Sequence, residues 1–192
     1  SQRAVLPRSG IMIILASKSP RRHELMKYIT EDFIVKSADT DETLPKGISP
    51  EDAVLRLSAI KAEPFRSEND IIIGADTVVA LGKKILGKPK NDEDARRMLR
   101  SLSGKTHSVY TGVTIIRSQN SVSFAVQTKV TFYELTDKDI DAYIKTGEHR
   151  DKAGSYGIQG YGSLFVKEIK GDYFNAVSYT HLRAHETLSD LV

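Results

Sequence analysis

Two hydrophobic periods alternate along this chain, one typical of short buried strands and the other of amphipathic helices. The apolar run at residues 12–16 predicts a buried strand, and the polar residues 17–19 predict a tight loop after it. Pro20 is favoured in the first turn of a helix, and Leu25 and Met26 lie on one apolar stripe of the segment that follows. The N-terminal part therefore predicts a strand, a loop and a helix.

The same patterns continue to residue 177 and are typical of an α/β protein. Helix starts are predicted at Ser49, Asn91 and Thr136, whose side chains are good N-caps. Gly82 and Lys83 separate two apolar runs and predict a hairpin. Strand patterns occupy residues 33–37, 71–73, 78–81, 84–86, 109–116 and 122–132, with a closing hairpin at 164–169 and 173–177. We expect a single α/β unit with a mixed sheet.

Composition narrows the class of protein. A chain of 192 residues is long enough for one domain with a substantial core. The net charge of +3 is a weak argument for nucleic acid and suits a phosphate-bearing small molecule at least as well. The absence of cysteine excludes disulfide and thiolate chemistry and is compatible with the cytoplasm. No apolar run has the length of a membrane span, so no membrane partner is expected.

The two ends differ from the rest of the chain. Residues 1–11 show no periodic pattern, and we interpret them as a poorly ordered extension. Residues 178–192 have only weak helical spacing and follow the last strand pattern without a turn. We interpret this tail as non-native sequence, which leaves residues 12–177 as the functional domain.

The junction between the first strand and the first helix is the first candidate site. Backbone N–H groups at a helix start favour an anion. Arg21 and Arg22 place two guanidinium groups in the first turn, where a cation is unfavourable for the helix dipole. The pattern therefore favours an anion site, and the alternative is a solvated basic helix start.

Asp76 is the second candidate, because it follows the apolar run 71–73 at the sheet edge where open α/β sheets bind ligands. A carboxylate there can hold a divalent cation or accept a proton from water. Gly74 and Ala75 allow another group to approach closely. The alternative is an Asx-turn aspartate that starts the hairpin.

Four further polar residues have two interpretations each. Lys88 lies between Gly87 and Pro89 on a defined loop, and Lys61 lies at the edge of a helix stripe; either is a cleft cation or a solvated lysine. Glu42 belongs to an acidic loop that is either a metal shell or solvated. Gln159, between glycines, either hydrogen-bonds a flat ligand edge or is a turn residue.

Five motifs in order resemble the Maf family of nucleoside triphosphate pyrophosphatases. They run from the first strand to residue 160, and the match as a whole extends over residues 12–177. The motifs are Leu15-Ala-Ser-Lys-Ser-Pro-Arg-Arg22, Gly74-Ala-Asp-Thr77, Gly87-Lys-Pro89, Leu102-Ser-Gly-Lys-Thr-His107 and Asp151-Lys-Ala-Gly-Ser-Tyr-Gly-Ile-Gln-Gly160.

The resemblance implies a fold, a reaction and a set of site residues. The implied fold is an elongated mixed sheet flanked by helices, with two lobes and a cleft, similar to the inosine triphosphate pyrophosphatases. The implied reaction is hydrolysis of dTTP or UTP to the monophosphate and pyrophosphate with a divalent cation, Mg²⁺ or Mn²⁺. The implied roles are general base for Asp76, substrate binding for Ser17, Arg21, Arg22, Lys61 and Lys88, specificity for Arg21, Thr77 and Gln159, and metal binding for Glu42 with Asp76.

The principal alternative is a regulator linked to cell division that binds nucleotides or nucleic acid without turnover. A carboxylate beside phosphate-binding cations favours the enzyme, because a binding protein has no need of it. We expect a cytoplasmic enzyme. Whether the enzyme is a monomer or a homodimer stays open. One departure from the family pattern concerns the tail, because Ser178 and Tyr179 stand where the family continues with Gly-Leu-Pro and a final helix.

Overall fold

The computed structural model describes residues 10–177. Its chain forms two compact units. The first unit contains residues 10–76 and Thr111–Val126, and the second contains Thr77–Tyr110 and Gln127–Val177. The chain thus passes between the units at Asp76, a predicted site residue.

Seven strands and five α-helices make up the described part of the chain. The strands are β1 (Ile13–Ala16), β2 (Ile34–Lys36), β3 (Ile71–Leu81), β4 (Lys84–Leu86), β5 (Thr106–Arg117), β6 (Asn120–Phe132) and β7 (Val166–Lys170). The α-helices are α1 (Pro20–Met26), α2 (Pro50–Ala62), α3 (Asp92–Leu102), α4 (Asp137–Thr146) and α5 (Tyr173–Val177). Short 3₁₀ turns occupy Glu63–Phe65, Ala153–Ser155 and Gly160–Phe165.

The strands form one mixed sheet, which confirms the predicted fold class. Its strand order is β2-β1-β3-β5-β6-β7, and β4 pairs with β3. β1 pairs in parallel with β2 and β3, whereas β3–β4 and β6–β7 are antiparallel. The β3–β4 pair is the predicted hairpin, with Leu81 opposite Lys84 and Gly82 at a φ of 60°.

The core of the first unit covers both faces of its strands. Because side chains alternate along a strand, consecutive apolar residues of β1 and β3 point to opposite faces. One face joins Ile13, Leu15, Ile71 and Ile73 to Met26 of α1, and the other joins Ile14, Ala16 and Ile72 to Ala62 of α2. Continuous apolar runs of this kind are typical of strands that are buried on both sides.

Helix α2 lies unusually close to the strands of the first unit. A Cβ atom at Gly74 of β3 would lie 2.3 Å from the backbone oxygen of Ser58, and one at Gly112 of β5 would lie 2.3 Å from that of Val54. No side chain fits at either position, so two glycines set the distance between helix and sheet.

The second unit has an aromatic core and a pair of helices joined by charges. Its buried rings pack edge to face, with centroids 4.7 to 5.8 Å apart; they are His107, Phe132, Tyr143, Tyr156 and Phe165. On its surface, Arg96 and Arg100 of α3 bind Asp141 and Asp137 of α4 at 2.7 and 2.8 Å.

Two predicted elements are wrong. Residues 71–73 and 78–81 are parts of one strand, so Asp76 lies inside β3 and the Asx-turn alternative fails. Residues 173–177 form helix α5 instead of a strand, because Asp172 bonds Phe174 N through its carboxylate at 2.8 Å and Ala176 N through its carbonyl at 3.3 Å.

The predicted terminal segments lie mostly outside the described residues. Of residues 1–11, the structure describes the last two, and Ile11 packs partly against the core of the first unit. The predicted non-native tail, residues 178–192, lies outside them entirely. Within residues 10–177, no helix is long and apolar enough to cross a membrane.

Candidate active site

The loop between β1 and α1 is organised around Ser17. This serine is buried, and its Oγ accepts hydrogen bonds from the Ser19 N–H at 3.2 Å and from Arg22 Nη1 at 3.4 Å. The Nε2–H of His23 donates to the Ser17 carbonyl at 2.8 Å. Main chain and side chain of Ser17 are thus both held by the turn that follows, which fixes the loop.

The two arginines of α1 differ in their surroundings. Arg22 is buried beside Ser17, whereas Arg21 is partly exposed. A buried guanidinium is not expected at a solvated basic helix start, because charged groups are rarely buried without a partner. The structure thus brings the predicted substrate-binding residues Ser17 and Arg22 into direct contact.

A lysine flanked by two carboxylates forms the second part of the site. Lys61 Nζ, on α2, forms a short hydrogen bond with Asp76 Oδ1 of β3 and lies 3.6 Å from Glu42 Oε1, in the loop before α2. The side chains of Lys61 and Asp76 are 22% and 13% exposed, so this ion pair is shielded more than a surface pair. Three predicted site residues from three segments therefore meet in the first unit.

The strand register explains why these residues share one edge. β1 ends at Ala16, which pairs with Gly74 of β3, so Ser17 and Asp76 both lie just past the end of the β1–β3 pairing. The relevant edge is therefore the carboxyl end of β1, because β3 itself continues past it. The close approach of α2 at Gly74 brings Lys61 to the same edge.

Lys88 belongs to the second unit and is exposed. Its loop is fixed from behind, because the Gly87 carbonyl accepts a hydrogen bond from the Gly154 N–H at 3.0 Å. Gly154 has a φ of 68°, and a Cβ atom there would lie 2.9 Å from Val79. The loop that carries Lys88 is therefore bound to the turn at Ala153–Ser155.

Gln159 and Thr77, the two predicted specificity residues that lie in the second unit, differ in exposure. Gln159 is exposed and follows the buried Ile158, whereas Thr77 is partly buried in β3, next to Asp76. The loop that carries Gln159 includes two non-glycine residues with positive φ, Asp151 at 61° and Ser155 at 66°. Such backbone is sparsely populated and is found where the surrounding structure holds it.

The sequence did not predict two contacts that histidines make, because the two residues in each contact are far apart in the chain. The buried His107 Nε2 lies 2.6 Å from the Tyr156 hydroxyl, and burial lowers the pKa of His107 to about 4. His149, also buried, lies with Nε2 2.8 Å from Asp92 Oδ1 at the start of α3. No local pattern signals either contact, because the sequence neighbours of both histidines are mostly polar or charged.

The donor set decides whether a divalent cation fits. Within residues 10–177, no group of three histidine, cysteine, aspartate or glutamate side chains could hold a metal ion. Mg²⁺, however, is commonly bound by one or two carboxylates together with substrate phosphates. Glu42 and Asp76 both face the ammonium of Lys61, which shows that their oxygens converge on a cationic centre. The pair fits a cation that the substrate helps to hold.

The fold and this site define an α/β protein with cations and carboxylates gathered at one strand edge. The sequence model of the Maf-like protein family matches residues 12–189. The chain therefore belongs to the Maf-like protein family.

Two curated relatives and one solved structure are similar to this chain. Two Bacillus cereus proteins named dTTP/UTP pyrophosphatase, from different strains, are 49% and 50% identical over 167 residues, which is 86% of this chain and 87% of each relative. The solved structure of the Staphylococcus aureus Ham1 protein is 17% identical with a TM-score of 0.46, and covers 63% of this chain and 71% of its own. That structural likeness is too distant to add to the family assignment.

Proposed function

We propose that this chain hydrolyses dTTP and UTP to the nucleoside monophosphate and pyrophosphate. The observation that carries the proposal is Lys61 between Asp76 and Glu42 at the edge that also holds Ser17. A shielded ammonium next to a carboxylate suits a reaction in which water attacks a polyphosphate. Relatives of about half identity that bear the name dTTP/UTP pyrophosphatase support the same substrates.

The proposed reaction needs one proton acceptor and several cations. Water attacks the α-phosphorus, Asp76 accepts a proton from that water, and the bond from the α-phosphorus to the oxygen that bridges it to the β-phosphate breaks. Pyrophosphate leaves with the electron pair of that bond. Charge then grows on the phosphoryl oxygens, and cations positioned in advance stabilise it. We assign this task to the cationic side chains of Arg21, Arg22, Lys61 and Lys88, and we assign to the Ser17 hydroxyl a hydrogen bond to the phosphates.

The proposed cofactor is Mg²⁺ or Mn²⁺, held by Glu42 and Asp76. When bound, such an ion neutralises charge on the phosphates. The residues of this chain contribute the two carboxylates, and Lys61 keeps them from repelling each other while no cation is bound.

We assign the choice of base to Arg21, Thr77 and Gln159. Thymine and uracil present two carbonyl acceptors and one N–H donor on the same edge. A glutamine amide carries both an acceptor and two donors, so Gln159 can bond that edge in both senses. The exposed position of Gln159 leaves its amide accessible to a ligand.

The test is a panel of nucleoside triphosphates incubated with the purified chain and Mg²⁺ or Mn²⁺, with and without a chelator. We expect monophosphate and pyrophosphate from dTTP and UTP, little from purine nucleotides, and no turnover with the chelator. Asp76→Asn should lower kcat on the order of a hundred-fold or more while an unhydrolysable dTTP analogue still binds, because loss of a positioned base slows the chemical step. Asp70→Asn is a matched control at the residue directly before β3.

Two other results would change the proposed function or the role of Asp76. A wild-type chain that binds nucleotides without turnover would support the regulator in place of the enzyme. An Asp76→Asn variant with more than about a tenth of wild-type kcat would remove Asp76 from the role of base.

The proposal also covers the setting of the enzyme. We place it in the cytoplasm, where nucleoside triphosphates are made and used, with a nucleotide as its ligand and no nucleic acid. Fractionation of cells that produce the tagged chain tests the location. Light scattering of the purified chain decides whether it is a homodimer.

A further inference from the structure

We propose that Glu148 is a positioning residue that fixes Gln159 and thereby sets the preference for thymine and uracil over purines. The consequence for substrate choice rests on the proposed function. The structural part rests only on contacts of the loop that carries Gln159. The site residues implied by the family resemblance do not include Glu148.

The central contact joins a side-chain carboxylate to the backbone just after Gln159. The Tyr161 N–H donates to Glu148 Oε2 at 3.0 Å and to Oε1 at 3.3 Å. Glu148 itself directly follows Gly147, which ends α4 in the left-handed conformation. A hydrogen bond to an ionised acceptor is stronger than one between neutral groups, so the carboxylate holds this peptide firmly against the end of α4.

Gly160 shows how closely the loop passes over that carboxylate. A Cβ atom at residue 160 would lie 2.6 and 2.8 Å from the two carboxylate oxygens of Glu148. Gly160 also has a φ of 74°, where only glycine is unstrained. The loop therefore has a glycine at a position where a side chain would displace the carboxylate.

The other side of Gln159 is held by burial. Tyr156 and Ile158 are 6% and 5% exposed, and the Tyr156 hydroxyl contacts His107. Gln159 thus lies between a buried apolar residue and a peptide bound by a carboxylate. Its backbone is fixed on both sides while its amide stays exposed, which is the arrangement needed to present one amide to a ligand.

The main chain at Glu148 has an anchor of its own. Lys152 Nζ donates to the Glu148 carbonyl oxygen, a contact that does not use the glutamate side chain. Replacing the Glu148 side chain therefore removes the bond to Tyr161 and leaves this anchor in place. The side chain can be tested without dismantling the loop.

Three variants separate positioning from general stability. Glu148→Leu removes the acceptor, Glu148→Gln keeps one carbonyl oxygen to accept the Tyr161 N–H, and Glu168→Leu is a control at an exposed glutamate of β7. The first measurement is amide hydrogen exchange at Tyr161. The second is the ratio of dissociation constants for unhydrolysable analogues of dTTP and dGTP, which does not require turnover. Melting temperatures report the overall fold.

We expect Glu148→Leu to speed exchange at Tyr161 and to lower the preference for the dTTP analogue, each by about tenfold or more, since an oriented polar contact is lost. Glu148→Gln should restore most of both, and Glu168→Leu should change neither. If Glu148→Leu does not fold, Glu148→Asp shortens the side chain by one methylene group, withdraws the carboxylate from the Tyr161 N–H and should give smaller losses of the same two kinds.

Two results would overturn the proposal. Unchanged exchange at Tyr161 would show that Glu148 does not hold the loop, and faster exchange with an unchanged analogue ratio would show that the loop does not set substrate choice. Absence of dTTP hydrolysis by the wild type would instead refute the proposed function, while the binding ratio would still decide the role of Glu148.

Discussion

The buried His107 should make the stability of this protein depend on pH in a window that one substitution removes. Burial lowers its pKa from 6.5 to about 4, so the folded state keeps a neutral imidazole where the unfolded chain binds a proton. Burial also raises the pKa of Tyr156, so its bond to His107 joins two neutral groups. The unfolded state therefore binds more protons between about pH 4 and 6.5, and stability falls as pH is lowered through that range.

The size of the effect follows from the two pKa values. Each pKa unit corresponds to about 1.4 kcal/mol, so the whole window is worth about 3 kcal/mol. Between about pH 7 and pH 5, where the unfolded imidazole gains most of its charge and the folded one almost none, this histidine alone should lower the free energy of unfolding by about 2 kcal/mol. That is a large part of the stability of an ordinary domain.

Urea unfolding at a series of pH values measures the effect in three proteins. His107→Gln removes the titrating group but keeps an amide that can bond the Tyr156 hydroxyl, so its pH dependence should be shallower by about 2 kcal/mol over the same interval. Tyr156→Phe is the matched control, because it removes the hydrogen bond and leaves His107 in its buried place. Other titrating groups are common to the three proteins, so their contributions to the pH dependence of unfolding cancel in the comparison.

Two results would refute this reasoning. A wild-type curve parallel to that of His107→Gln would mean that the folded and unfolded imidazoles have the same pKa. Loss of the pH dependence in Tyr156→Phe would mean that the hydroxyl, and not burial, lowers the pKa of His107.

Lys88→Ala should lower kcat/KM for dTTP at least about tenfold, because it removes a cation that we assign to the phosphates. The melting temperature should not change, because the exposed Lys88 side chain contributes little to packing. Equal kinetics in the variant and the wild type would place Lys88 outside the substrate site. Gly74→Ala should lower the free energy of unfolding by about 3 kcal/mol or more, because its Cβ would meet the Ser58 oxygen at 2.3 Å. Gly87→Ala is the matched control, since a Cβ there has nothing within 4 Å. Similar urea midpoints for the two glycine variants would contradict the close approach of α2.

The helix starts could be predicted from sequence because their causes are local. The side chains of Ser49, Asn91 and Thr136 each accept a hydrogen bond from a backbone N–H three residues later, as a cap does. The extent of β3 was mispredicted because its cause is non-local: β1 and β4 pair with different parts of the strand. The helix at Tyr173–Val177 was missed although its cause is local, since Asp172 directly precedes it and accepts a hydrogen bond from the Phe174 N–H.

The contacts of the candidate site also divide into local ones, which a sequence motif reveals, and non-local ones, which it does not. The contact of Ser17 with Arg22 spans five residues and belongs to one motif. The contacts of Lys61 with Asp76 and of His149 with Asp92 span 15 and 57 residues, so no spacing rule reveals them. For Lys61 the decisive signal was Gly74, because a small residue next to the candidate carboxylate indicated that another group comes close. The sequence did not show that this group is helix α2.

The close position of α2 has a consequence for the charge of the site. Lys61 reaches Asp76 only because Gly74 and Gly112 leave no side chain between helix and sheet. Its one positive charge then faces two carboxylates, Asp76 and Glu42, and this trio is negative as a whole. A triphosphate that approached it alone would meet like charge, and a shielded environment strengthens that repulsion. A divalent cation carried by the substrate would reverse the sign of the local charge and release Lys61 to the phosphates. The close packing of α2 against Gly74 and Gly112 is therefore a physical reason to expect that the proposed turnover requires the proposed divalent cation.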